Sequence, residues 1–196
     1  MIKKEMNSNA DTENSPSRRL FLKGFACVAA TTMMGVPGIS QAAKGNFYSS
    51  RKLAFHNLHT EEKLSLTYFD HGHYVADAFH DLSYLLRDHR SGDVHAMDPE
   101  LFNILDDLQA ALGGNKTFQV ISGYRSPATN RMLNKTSSGV AKKSLHMQGK
   151  AIDIRVVGVD SRRVQKAAIN LARGGVGYYR KSDFVHIDTG NVRHWG

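Results

Sequence analysis

The most informative stretch of this 196-residue sequence is residues 144–153, which read Ser-Leu-His-Met-Gln-Gly-Lys-Ala-Ile-Asp. His146 and Asp153 could share a helix face only if an unbroken helix ran through Gly149. Glycine instead favours a turn at this point, which brings His146 back over the strand that carries Asp153. Side chains alternate along that strand, so Asp153 lies on the polar face. The apolar side chains of Ile152, Ile154 and Val156 point to the core.

A second informative stretch, residues 184–188, reads Phe-Val-His-Ile-Asp. By the same alternation, Val185 and Ile187 face the core, whereas His186 and Asp188 point outward together. Two strands therefore present imidazole and carboxylate groups on one open face of a sheet. Such groups are suitable zinc ligands, and three protein ligands with a water are typical of a catalytic zinc site. Zinc polarises an amide carbonyl and acidifies the water that attacks it.

The first of these stretches resembles the SxHxxGxAxD signature of the zinc peptidases grouped with lysostaphin, the D-Ala-D-Ala peptidases and the Hedgehog signalling domain. Residues 122–126, Ser-Gly-Tyr-Arg-Ser, resemble the SGYRS-type turn of the same group. Residues 174–179 together with 184–190 resemble its closing strand pair. These elements span about residues 121–195 in the same order, and beyond its N-terminal segment the chain is similar to the periplasmic murein endopeptidases of the D-Ala-D-Ala peptidase branch.

This resemblance implies a role for each matching residue. His146, Asp153 and His186 would hold one Zn²⁺, and Arg125 would bind the substrate carbonyl or carboxylate and stabilise the developing oxyanion. In many relatives the strand that carries the last ligand has the motif His-x-His. This chain departs from that motif, because Asp188 stands at the second His position. Either His186 is the ligand and Asp188 a general base or orienting partner, or the two exchange roles. We favour His186 as the ligand, since a neutral imidazole adds no further negative charge to the metal site. Ser144 would orient a ligand.

Helix and strand signals along the rest of the chain predict an α+β domain. With the resemblance, they indicate a small, mostly antiparallel sheet that carries the zinc site and is flanked by helices, as in a D-Ala-D-Ala peptidase/Hedgehog-like fold. The predicted elements are a hairpin over 52–69, helices over 74–89, from Asp98-Pro99 to Gly113, over 127–133 and from Ser161 to Gly174, and strands over 118–122, 151–157, 176–179 and 184–187.

The N-terminus reads as a targeting segment. Residues 17–23, Ser-Arg-Arg-Leu-Phe-Leu-Lys, are typical of a twin-arginine export signal. The apolar stretch that follows, 24–39, is shorter than the roughly 20 residues of a membrane span. We therefore expect a signal peptide over 1–42, cleaved after Ala42, and a periplasmic protein without a stable membrane span. Residues 43–196 would form a single zinc peptidase domain, with a hairpin segment over 43–70 and a peptidase core over 71–196.

Other patterns carry less weight. The formal charge of +8 suits an anionic partner, but the export signal and the lack of a nucleic-acid motif argue against nucleic acid. His71, His73 and His80 form a second histidine group, which we interpret as a solvated helix face.

The expected activity is zinc-dependent hydrolysis of peptide cross-links in peptidoglycan. A D-Ala-D-Ala-type carboxypeptidase and a non-catalytic peptidoglycan-binding module are the alternatives. The implied partners are peptidoglycan stem peptides and the twin-arginine export machinery.

Overall fold

A single eight-stranded sheet organises the described part of the chain, which in this computed structural model comprises residues 50–137 and 139–196. The predicted signal peptide and the predicted cleavage position after Ala42 lie outside the described residues. The strands are β1 (Arg51–Asn57), β2 (Lys63–Asp70), β3 (His73–Tyr74), β4 (Thr117–Ser122), β5 (Ala151–Val156), β6 (Gly175–Tyr179), β7 (Phe184–Asp188) and β8 (Arg193–Trp195). The helices are α1 (Ala76–Leu85), α2 (Pro99–Ala111), α3 (Pro127–Thr136) and α4 (Ser161–Leu171).

The predicted α+β class is confirmed, but the predicted small, mostly antiparallel sheet is wrong in its size and only partly right in its pairing. The strand order is β3-β2-β1-β4-β5-β7-β6-β8. Five neighbouring pairs are antiparallel, whereas β1–β4 and β6–β8 are parallel. Parallel pairing joins strands that are not consecutive along the chain: β1 and β4 are separated by β2, β3, α1 and α2, and β6 and β8 by β7. Local periodicity therefore does not reveal it. The predicted hairpin β1–β2 is confirmed, and it extends the same sheet.

α2, α3 and α4 start where the sequence signals place them, whereas α1 is shorter than the predicted helix over 74–89, because Tyr74 pairs in β3. The Asp98 side chain accepts a hydrogen bond from the backbone N–H of Glu100 and caps α2, with Pro99 in its first turn. Asp160 caps α4 in the same way. Burial of their apolar faces against the sheet supplies most of the stability of helices of this length.

The alternation predicted for β5 and β7 is confirmed. Ile152, Ile154, Val185 and Ile187 are all buried in the main apolar cluster, together with side chains of α2 and α4. The opposite face of these strands therefore carries the polar side chains, Asp153 and Arg155 on β5 and His186 and Asp188 on β7. This face is not open as expected, because the metal-site residues on it are buried as well.

Within the described residues, no helix has both the length and the apolar character needed to cross a membrane.

We predict that stability at alkaline pH depends on Tyr68, a fully buried core residue whose hydroxyl donates a 3.3 Å hydrogen bond to Asn103. Burial raises the pKa of Tyr68 to about 12. The unfolded chain ionises near pH 10, so it releases the phenolic proton before the folded protein does, and stability falls as pH rises from about 10 to 12. This loss should reach about 2–3 kcal/mol. Urea unfolding between pH 8 and 12 measures it.

The variant Tyr68→Phe should show a smaller alkaline loss than the wild type. Tyr84→Phe, which replaces an exposed tyrosine of α1, is the matched control and should leave the pH profile unchanged. Equal profiles for the wild type and Tyr68→Phe would contradict the assignment.

Candidate metal centre

His146 is positioned by a short 3₁₀ turn, Leu145–Gln148. The Ser144 hydroxyl accepts a 3.4 Å hydrogen bond from the His146 backbone N–H and so caps this turn. Gly149 ends it in the left-handed conformation, at φ +65°, as the turn prediction requires. A Cβ at this position would overlap the carbonyl oxygen of Ala96, so the turn also packs closely against the preceding segment.

The structure brings His146, Asp153 and His186 together. Asp153 lies directly opposite His186 across the β5–β7 pair, and one ligand atom from each of the three residues lies within 4.8 Å of the others. His146 Nε2 is 3.2 Å from His186 Nδ1 and 3.3 Å from Asp153 Oδ1, and His186 Nδ1 is 2.8 Å from the same oxygen. Ligand atoms around one tetrahedral zinc lie about 3.3 Å apart at the usual bond lengths. The donor set and its spacing therefore fit a single zinc ion.

Hydrogen bonds select the nitrogen that His146 can offer. Its Nδ1 lies 2.7 Å from the carbonyl oxygen of Gly123, which can only accept, so Nδ1 carries the proton. The Nε2 lone pair is then directed at Asp153 and His186. Burial lowers the pKa of His146, which keeps the imidazole neutral, as a metal ligand must be.

His186 lies between two carboxylates. Its Nδ1 faces Asp153 at 2.8 Å, and its Nε2 lies 2.9 Å from Asp188 Oδ2. Burial opposes the charged form, but the hydrogen bonds to Asp153 and Asp188 outweigh it and raise the pKa of His186 to about 9. A metal ion at Nδ1 would replace the proton on that nitrogen, while Nε2–H continued to donate to Asp188. Such a carboxylate–histidine–metal chain fixes the tautomer and orients the ring.

Asp188 is fully buried, and both of its oxygens are engaged. Arg193 donates to Oδ1 at 3.0 Å and to Oδ2 at 2.7 Å, and the backbone N–H groups of Gly175 and Gly190 donate to Oδ1. Burial alone would raise the pKa of Asp188, but the hydrogen bonds from His186 and Arg193 hold it well below its usual range. A carboxylate held in this way is a poor proton acceptor. Of the two roles predicted with His186 as ligand, the geometry favours the orienting one over the general base.

Arg193 is a site residue that the sequence analysis missed. Its guanidinium makes a bidentate pair with Asp188 and lies 5.2 Å from the ring centroid of Trp195. No local spacing rule links Arg193 to Asp188, because the loop between β7 and β8 brings it back. Trp195 packs over Gly177, where a Cβ would overlap the indole, and its ring centroid is 5.3 Å from that of His186.

Arg125 is buried beside the ligands. Its Nη2 lies 3.5 Å from Asp153 Oδ2 and 3.2 Å from Ser122 Oγ, and Nη1 donates to Asn130 at 3.4 Å. Its Nε has no hydrogen-bond partner among the described residues. Burial lowers the pKa of Arg125 from its usual value, although Asp153 opposes this effect. These contacts are long, so the guanidinium keeps donor capacity for a substrate oxygen.

The three candidate ligands lie in a cavity of about 310 Å³, which we call the first cavity. Arg125, Lys143, Tyr179 and Trp195 are also among its lining residues. The second histidine group does not assemble. His73 belongs to β3 rather than to α1, the side chains of His71 and His80 are exposed, and no further metal-binding group occurs in the described part of the chain. The interpretation as a solvated surface agrees with this placement.

Comparison with known proteins gives a consistent result. Residues 46–195 match a peptidase M15 family model described as peptidoglycan L,D-endopeptidase MepK. The chain is 46% identical over 145 residues to the curated peptidoglycan L,D-endopeptidase MepK of Escherichia coli K12, covering 74% of this chain and 80% of that protein. It is also 46% identical over 146 residues to the probable peptidoglycan L,D-endopeptidase MepK of Haemophilus influenzae, covering 74% of this chain and 78% of that protein.

We predict that Asp188→Asn lowers zinc affinity about 10- to 100-fold. The amide can keep its oxygen on the backbone N–H groups of Gly175 and Gly190, and its NH₂ then faces His186 Nε2. This favours the tautomer with the proton on Nδ1, the nitrogen that faces Asp153. Competition with a chromophoric chelator measures the affinity. Asp160→Asn, which exchanges one good helix cap for another outside the site, is the control and should bind zinc normally. Unchanged affinity in Asp188→Asn would contradict the orienting role.

We also predict that Gly149→Ala destabilises the protein more than Gly158→Ala. Both glycines have positive φ, so each substitution costs about 1–2 kcal/mol of backbone strain. Nothing lies near a Cβ at Gly158, whereas a Cβ at Gly149 overlaps Ala96. Denaturant unfolding should therefore show an additional loss of about 1–3 kcal/mol for Gly149→Ala. Equal losses would show that the close approach has no energetic consequence.

Proposed function

Because this chain belongs to the peptidase M15 family whose model is described as peptidoglycan L,D-endopeptidase MepK, we propose that it is a zinc-dependent murein endopeptidase. Its substrate would be the peptide cross-links of peptidoglycan, and the bond cut would join an L- to a D-configured centre, as the names of its relatives state for those proteins. The observation that carries the proposal is the triangle of donor atoms from His146, Asp153 and His186 inside a cavity that Arg125 also lines.

His146, Asp153 and His186 would hold the zinc ion. What supports this is their spacing, their burial and the tautomer that Gly123 imposes on His146. A zinc ion held there would supply Lewis acidity toward the scissile carbonyl and the attacking water. Without zinc, His186 would carry a proton on the nitrogen that faces Asp153. Zinc uptake should therefore release this proton.

The protein's own groups would position the substrate and stabilise charge. The Arg125 guanidinium lies within 3.5 Å of Asp153 and can donate to the carbonyl oxygen of the scissile bond as negative charge develops on it. Arg193 and Asp188 would keep His186 in one orientation and one tautomer throughout the reaction. The indole of Trp195 would exclude water from one side of the site, since it packs beside His186.

We further propose that residues 1–42 are a twin-arginine signal peptide, removed after Ala42, and that residues 43–196 act in the periplasm as one peptidase domain. The sequence of 17–23 supports the export route. The family match begins at residue 46, soon after the proposed cleavage position, which supports the boundary. Peptidoglycan lies outside the cytoplasmic membrane, so an enzyme acting on it requires export.

The test incubates purified residues 43–196 with isolated cell-wall sacculi, with and without a chelator and with zinc added back. Mass spectrometry of released fragments should show cross-linked fragments converted to monomers by cleavage at an L,D bond. The chelator should stop this conversion and zinc should restore it. Loss of terminal alanine alone would identify a carboxypeptidase. Zinc and sacculus binding without release of fragments would identify a binding module.

Replacing His186 by Ala should lower hydrolysis at least about 1,000-fold while leaving the fold largely intact, because it removes a metal ligand. Circular dichroism and bound-zinc analysis check the two parts of this expectation. His80→Ala, which removes an exposed histidine of α1, is the matched control and should keep full activity. Activity that survives in His186→Ala would refute the ligand assignment.

A further inference from the structure

A second cavity, of about 570 Å³, adjoins the first at the metal site. The two cavities share Arg125, Asp153, Ser182 and Phe184 among their lining residues. The remaining lining of the second cavity includes His59, Arg90, Ser122 and Arg155. Asp153, one of the candidate metal ligands, therefore lies where the two recesses meet, whereas His146 and His186 line the first cavity only.

The order of strands puts the two cavities on opposite sides of these ligands. Asp153 and His186 lie on the neighbouring strands β5 and β7. The first cavity extends from them over β6 and β8, where it reaches Tyr179 and Trp195. The second extends the other way, over β5 and β4 to the β1–β2 turn, which carries His59. A peptide crossing the metal site would therefore have protein on both sides of its reacting bond.

The lining of the second cavity combines cations with the apolar side chains of Leu58, Ile121, Leu133 and Phe184. Arg90, Arg125 and Arg155 contribute guanidinium groups, and Asp153 is the only carboxylate among the lining residues identified. Arg155 is fixed by hydrogen bonds from its Nε and Nη2 to the carbonyl oxygens of Asp183 and Ser182. Because Asp153 is directed to the two histidines, it does not neutralise the far end of the cavity.

Arg90 is the cation with the most freedom to bind a ligand. Its side chain is exposed and makes no hydrogen bond or ion pair with any described residue. Its backbone is held in place, since its N–H donates at 3.0 Å to Asp88, whose other oxygen accepts from Ser126. On the same wall, His59 stacks on His89 at 3.8 Å between ring centroids and bonds the carbonyl of Ile121. The wall is thus held by hydrogen bonds and ring stacking, and it carries a guanidinium that has no partner among the described residues.

We propose that the second cavity is a subsite for the second arm of a cross-linked peptide, and that Arg90, with Arg155, binds a free carboxylate on that arm. The proposal rests on the proposed function and deepens it. An endopeptidase must accommodate peptide on both sides of the cut bond, and guanidinium groups on the wall of this recess favour an anionic segment. Guanidinium groups suit carboxylates because their paired N–H groups match the two oxygens.

The test compares two cross-linked peptide dimers that differ only in whether the second arm ends in a free carboxylate or an amide. For the carboxylate dimer, Arg90→Ala in the zinc-loaded full-length protein should raise KM about fivefold with kcat unchanged, and Arg90→Glu should raise it further. For the amide dimer, wild type and Arg90→Ala should have the same KM. Arg162→Ala, which removes an arginine of α4 that lines neither cavity, is the matched control and should match the wild type on both dimers.

The outcomes separate the subsite from the activity. Equal KM values of wild type and Arg90→Ala on the carboxylate dimer, or an equal rise on both dimers, would overturn the subsite while leaving the proposed function standing. Failure of the wild type to cleave either dimer would contradict the proposed function alone. Equilibrium binding of the same dimers by fluorescence anisotropy would then decide the subsite, since a carboxylate preference lost in Arg90→Ala supports it and equal affinities overturn it.

Discussion

The antiparallel pairing of β5 with β7 is the constraint on which the rest of the site depends. Its register sets Asp153 opposite His186 and Ile152 opposite Ile187. Directly opposite residues have Cβ atoms about 4.5–5.5 Å apart, close enough for two side chains to share one ion. A slip of one residue would turn the polar side chains of one strand into the core. The buried isoleucines and valines on the other face therefore hold the metal-binding face in place.

Burial of so many ionisable groups requires that each be compensated. Asp153 and Asp188 are both buried, and an isolated carboxylate there would cost several kcal/mol. Arg125 and the two histidines compensate Asp153, whereas His186, Arg193 and two backbone N–H groups compensate Asp188. The same contacts that stabilise these charges also orient His186. The hydrogen bonds and ion pairs that make the buried charges tolerable therefore also set the geometry of the site. Arg193 and Trp195 belong to the last strand, β8, which closes one side of the first cavity. The pairing of Arg193 with Asp188 therefore also holds β8 beside the site.

The glycines near the site serve close packing as well as turning. Gly149 lets the 3₁₀ turn end against Ala96, and Gly177 leaves room for the indole of Trp195 over β6. A side chain at either position would overlap its neighbour. Glycine therefore lets the backbone of Ala96 approach Gly149 and the indole of Trp195 approach Gly177. The site is therefore enclosed by the turn on one side and by β8 on the other, while the second cavity stays open toward Arg90.

The sequence by itself determined the family resemblance, the α+β class, the starts of α2 and α4, and the polar face on which Asp153 and His186 lie, because caps, turns and strand alternation are properties of neighbouring residues. Only the tertiary structure decided the size and mixed pairing of the sheet, since β1 meets β4 across two intervening helices. It also decided which nitrogen of His146 is available, the pairing of Arg193 with Asp188, and the presence of a second cavity. These features arise where distant segments meet, and the energies that select them belong to packing and hydrogen bonding across the sheet, which no local spacing encodes.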